Sequence, residues 1–205
     1  MWTAIEYACI GTLSGPVLAR WASAAVDEPN RGTRSWVTLF CATTAVVLFF
    51  VAARWLNSPA LPAFGWFAMT GVVLCVIDLD HHRLPHAVVG TAFGGGLVLL
   101  GVVAAVVDQQ AENFLRALVI AAAVFAVCLT TSLLAPGQLG FGDVTLFGTV
   151  SLFVGWVGWQ AVYVELVVTV FLGGLAAVAM IAIGRTRFAF GPVILGGALV
   201  ALLQP

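Results

Sequence analysis

From residue 3 to residue 203 the chain is apolar almost without a break, divided into eight segments by short polar links. The segments run over about 3–21, 36–53, 60–78, 87–107, 115–135, 144–157, 160–182 and 189–203. A helix needs about 20 apolar residues to cross a bilayer core, and most of these segments come close to that length. Segments six and eight, at 144–157 and 189–203, fall short of it. Neighbouring helices would have to bury them, or part of segment six would be re-entrant.

Water is a poor solvent for such a chain. Of 205 residues, 62% are hydrophobic and 8% charged, where a soluble domain carries about 25% charged residues. A soluble fold has to cover itself with polar groups, and there are too few here. The expected fold is therefore all-α, a polytopic membrane protein of about eight transmembrane helices. It forms a single transmembrane domain over 1–205, with no internal repeat and no second domain. The lipid bilayer is its first partner. The net charge of −1 gives no electrostatic case for nucleic acid.

The eight basic residues are all arginine, and they are distributed unevenly. With eight spans, Arg20, Arg31, Arg34, Arg83, Arg185 and Arg187 fall on one side, and Arg54 and Arg116 on the other. The basic side is normally cytoplasmic. The links 22–35, 79–86, 136–143 and 183–188 are then expected to face the cytoplasm, with both chain ends outside. Ala22-Ser23-Ala24 resembles a signal-peptide cleavage site, but Glu6 precedes the apolar run and Arg20 follows it, the reverse of a signal peptide's charge order. Segment one is read as a retained helix. Cys9, Cys41, Cys75 and Cys128 each stand alone in apolar runs, without a CxxC pair, and are read as small apolar side chains.

Two polar stretches interrupt this pattern. In VIDLDHHRLPH, residues 76–86, Asp78, Asp80, His81, His82, Arg83 and His86 are ionisable. Asp78 sits at the end of segment three, where an ionisable group is costly and usually faces a cavity or a partner. Pro85 cannot continue a helix and biases Leu84 to an extended shape, so the helix is expected to end near Asp80. The second stretch is PGQLGFGDVTLFG, residues 136–148, in which Gly137, Gly140 and Gly142 precede Asp143. These glycines permit close backbone approach, including that of another chain. The simpler reading is a glycine-rich loop with Asp143 as a helix N-cap.

The topology puts Asp78 and Asp143 at one depth on one face. Two adjacent carboxylates cannot both ionise freely, so one serves as base and the other as acid, as in aspartic proteases. The pair titrates as a unit, and neither role is tied to a named residue.

With IDLDHHRLP at 77–85, GFGDVTLFG at 140–148, GWVGWQ at 155–160 and FAFGPVILGG at 188–197, the chain resembles the type IV prepilin peptidases, GxGD-class intramembrane aspartyl proteases. The resemblance covers about 60–205. It implies Asp78 and Asp143 as the catalytic pair, with Gly140, Gly142 and Pro85 positioning the substrate. It implies no cofactor and no metal. The implied partner is a prepilin or pseudopilin, with a short basic leader and a glycine before an apolar helix, cut at the cytoplasmic face of a bacterial inner membrane. Asp80 lies about 200° further round the helix and is expected to point elsewhere. The chain departs from the family pattern at His86, where Asp or Asn is common, and at Thr145, where Lys is common. Link 22–35 is short and lacks the cysteines of the family's zinc-bearing region, so a peptidase without methyltransferase activity is expected.

Other residues have plainer readings. His81, His82 and His86 are read as solvated side chains at the interface, because adjacent histidines diverge on a helix. Glu165, inside segment seven, is either functional or hydrogen-bonded to a neighbouring helix, with Glu6 as a possible neighbour. Gly94, Gly95 and Gly96 mark close packing or a flexible point, and Gly191-Pro192 starts or kinks the last helix. The alternatives to a protease are a proton- or cation-coupled transporter, which favours mid-membrane acids and a repeat, and a structural subunit that needs neither aspartate.

Overall fold

The computed structural model describes residues 2–26, 34–55, 57–135, 139–182, 184 and 189–204. Gly137, Arg31, Arg185 and Arg187 lie outside them, as do half of link 22–35 and most of link 183–188. The described residues form eight helices and no strand: α1 (Trp2–Ala25), α2 (Arg34–Trp55), α3 (Leu61–His81), α4 (His86–Val106), α5 (Ala111–Leu134), α6 (Phe141–Val157), α7 (Trp159–Ala182) and α8 (Gly191–Leu203). Each apolar segment becomes one helix. Segment six is one unbroken helix rather than a re-entrant loop, and it is joined to α7 by Gly158 alone. That residue has φ 146° and ψ 174°, a conformation natural to glycine.

The chain is an all-helical, multi-pass membrane protein. Residues 37–55 of α2 and the whole of α3, α4, α5 and α7 are long and apolar enough to span a bilayer, while α6 and α8 are apolar but shorter. The outer faces fit lipid: on α5 and α7, Leu134, Val170 and Phe171 are 80%, 74% and 69% exposed. The helix that carries Asp78 is at the centre instead. Of α3's most apolar window 72% is buried, against 17–28% for the other four long helices. A helix apolar on every side can serve in either place, and its neighbours decide which.

Aromatic packing sets the register of α3 and α6. Phe67 of α3 stacks on Phe153 of α6 with ring centroids 4.4 Å apart. Asp78 lies about 16 Å further along α3, and Asp143 about 15 Å back along α6, at 1.5 Å per residue. The two helices run in opposite directions, so both aspartates arrive at the same end. Gly96 of α4 leaves room for the Phe153 ring and Gly95 for the Trp66 indole, while Gly94 faces open space. The triple glycine is thus a packing device at two of its three positions.

The arginines at the other end, the exceptions to the charge rule, serve helix ends. Arg116 donates from Nε to Gly155 O at 3.0 Å and from Nη2 to Trp156 O at 2.7 Å, at the end of α6. Arg54 donates to Gln204 O at 2.8 Å, just beyond α8. A cation suits a helix C-terminus, where carbonyls lack intrahelical partners.

α1 and α2 meet through glycines four residues apart, spaced for close helix approach. A Cβ on Gly11 would lie 2.7 Å from Ala45 Cα, and one on Gly15 2.7 Å from Cys41 Cα. These are backbone contacts, so no side chain can turn aside. Gly15→Leu is expected to cost about 3 kcal/mol, the upper end of the overpacking range. Thermal unfolding in detergent checks this; a midpoint equal to that of wild type would mean that α1 does not depend on this contact.

Candidate active site

Asp78 lies in the last turn of α3. The helix runs to His81, one residue beyond the expected end, and stops at His82, whose φ of 52° and ψ of 40° are left-handed. The turn from Arg83 to Pro85 follows, and Pro85 caps α4 with φ −64° and ψ 121°. Asp78 is only 4% exposed, while Asp80 is exposed and has His81 Nε2 at 3.1 Å from its Oδ2. The two carboxylates point apart, as a step of two residues on a helix requires.

A buried carboxylate needs a donor. For Asp78 this is the backbone N–H of Gly191, which donates to Oδ2 at 2.7 Å. Gly191 opens α8, and orphan N–H groups at a helix start are suited to an anion. The approach is tight: a Cβ at position 191 would lie 2.8 Å from Asp78 Oδ2 and 3.3 Å from Leu84 Cδ2. The sequence alone gives Gly191 only the role of beginning or bending a helix. In the structure it is the residue that holds Asp78. A backbone donor leaves no side-chain signature; the one available signal was the Gly-Pro at a helix start.

Asp143 is not the N-cap of α6. Gly140 is, and Asp143 stands three residues later, in the first turn. From there its carboxylate turns back towards Gly140: a Cβ built on that residue would lie 3.1 Å from Asp143 Oδ2. Asp143 is half-buried and close enough to Asp78 to interact with it electrostatically. Gly142 permits a close approach, but to this chain's own Leu84: a Cβ there would lie 2.9 Å from Leu84 Cβ. Gly142 therefore ties the second polar stretch to the first.

The two aspartates line one cavity of about 560 Å³. Its wall takes Val26 from the end of α1, the stretch from His82 to His86, Gly140 and Gly142 before Asp143, and Phe190 before α8. Three of the four links expected on one face, 22–35, 79–86 and 136–143, thus border it, while nearly all of 183–188 lies outside the described residues. His82 and His86 belong to this wall, and the His86 ring packs edge-on against Phe141 at 5.5 Å.

Glu165 is elsewhere. It is 1% exposed on α7 and accepts a hydrogen bond from Thr169 Oγ1 at 3.2 Å, a partner on its own helix rather than a neighbouring one. Glu6, at the start of α1, is exposed. Glu165 does not line the cavity of the aspartates.

A model of the type IV leader peptidase family matches residues 65–183. No match was found to a curated protein or to a solved structure. The matched stretch is more than half of the chain and encloses Asp78, the Arg83–Pro85 turn, both glycines and Asp143. With these residues gathered round one cavity at one end of a helical membrane protein, the chain belongs to the type IV leader peptidase family.

Proposed function

We propose that this peptidase is an intramembrane aspartyl endopeptidase with Asp78 and Asp143 as its catalytic pair. Its substrate is a type IV prepilin or pseudopilin, cut at the cytoplasmic face of a bacterial inner membrane. The observation that carries this is the sharing of one polar cavity by two carboxylates, one of them, Asp78, held by a backbone N–H. A fixed donor holds that acid in place before substrate arrives, which lowers the cost of orienting it.

The pair shares one proton. The ionised member takes a proton from water as the oxygen attacks the scissile carbonyl carbon, and the protonated member gives its own to the carbonyl oxygen. A gem-diol results, with the shared proton now on the other carboxylate. The protonated carboxylate gives its proton to the amide nitrogen while the ionised one takes a proton from a gem-diol hydroxyl; the C–N bond breaks, the leader leaves as an acid and the helix as a free amine, and the dyad again holds one proton. Pro85 and the Gly140–Gly142 turn shape the rim on which the peptide is laid. The short link between α1 and α2, without cysteine, favours a peptidase that does not methylate this amine.

Co-expression with the host's own prepilins tests the proposal. Wild type is expected to shorten the prepilin by its leader, with N-terminal sequencing starting at the apolar segment. If wild type stands in the membrane and none of these prepilins is shortened, the proposal is wrong.

A further inference from the structure

A second hollow, of about 660 Å³, lies between α4, α5 and α6. It begins where the catalytic cavity ends, because His86 lines both. From His86 and Phe141 it runs along α6 to Thr149, about 12 Å at 1.5 Å per residue. Its character is apolar. The two threonines on its wall spend their hydroxyls on their own helix, Thr145 on Gly142 O and Thr149 on Thr145 O, each at 2.8 Å. Gly90, Ala121, Ala122 and Gly148 give it a wall of small residues, the kind that lets a second helix come close in a bilayer. Gly90, Ala122 and Phe141 are exposed, so the groove opens sideways.

We infer that this groove seats the first two turns of the substrate's own apolar helix. The inference rests on the prepilin reading above. A membrane-embedded substrate must reach the dyad by sliding in the plane of the bilayer. Its scissile bond is at the polar end of its helix, so the helix has to leave the catalytic cavity and enter the apolar layer at once. The groove of α4, α5 and α6 is continuous with that cavity and points the required way. A competing hollow between α2, α3 and α8 is smaller, about 320 Å³, and shares no lining residue with the cavity of the aspartates.

Each hollow contains a glycine that can be replaced without a clash. A Cβ on Gly90, in the first groove, meets nothing within 4 Å, and neither does one on Gly196, in the second. A photoreactive benzoylphenylalanine is placed at position 90 or 196 of an Asp143→Asn chain, which retains uncut prepilin, and the products are mapped by mass spectrometry. Crosslinks are expected from 90 to the first two turns of the prepilin helix, and none from 196. In the chain with both aspartates, Gly90→Trp is expected to lower prepilin cleavage at least tenfold, and Gly196→Trp to leave it unchanged. Crosslinks from 196 and not 90 overturn the assignment, as does their absence from both positions while wild type still cleaves. If wild type cleaves no prepilin, the function itself is wrong and the occupant goes with it.

Discussion

Asp78→Asn and Asp143→Asn are each expected to reduce prepilin cleavage by at least about 10³-fold, within the range that one acid–base group supplies. Asp80→Asn is expected to stay within about twofold of wild type. Asparagine keeps the shape, and at position 78 it can still accept the Gly191 N–H, so the fold around it persists. What it loses is the ability to exchange a proton. On the proposed mechanism the two acids act as a unit, so the double variant should be hardly worse than either single one. Gel shift of a co-expressed prepilin, with all chains at equal membrane levels, reads the effect. An essential Asp80 beside a dispensable Asp78 would contradict the burial that separates them, 4% exposure against an exposed neighbour. Equal cleavage by every variant would remove the dyad from the mechanism.

The helices could be read from the sequence because lipid leaves few options: an apolar run of this length with paired backbone is a helix. The aspartates could be read because an acid beside an apolar run is costly and stands out in a chain with so few charges. Asp80 was separable from Asp78 by helical geometry alone. What could not be read depends on which helices become neighbours. Gly11 and Gly15 look like any other glycines until Ala45 and Cys41 are found against them. Arg116 counted as an exception to a charge rule before the end of α6 was seen beside it. Glu165 has its partner one turn along its own helix, an arrangement that the sequence permits but does not select. Asp143 reads as an N-cap in the sequence because the apolar run starts at residue 144, whereas α6 itself starts three residues earlier, at Phe141.

Gly191→Ala is expected to lower kcat by about 100-fold, the cost of misplacing a catalytic group by about 1 Å. The added methyl would lie 2.8 Å from Asp78 Oδ2 and 3.3 Å from its Cγ. Neither α8 nor Asp78 has slack to absorb it, since Ile194, one turn into α8, is fully buried and Asp78 nearly so. The alanine keeps its N–H, so the loss comes from displacement and not from a missing donor. With Asp78 as the proposed catalytic acid, Gly191 would be a positioning residue that acts through it. A positioning role predicts a fall in kcat with KM near that of wild type, because the groove that would hold the substrate's helix is not lined by Gly191. Gly196→Ala, on the same helix with open space around it, supplies the comparison and should behave as wild type. If Gly191→Ala instead lowers thermal stability and protein level while surviving molecules cleave at the normal rate, Gly191 serves the packing of α8 alone. A raised KM with kcat intact would move it from the acid's support to the substrate's path. Only a fall in kcat in a stable protein fits a backbone N–H that aims the carboxylate of Asp78.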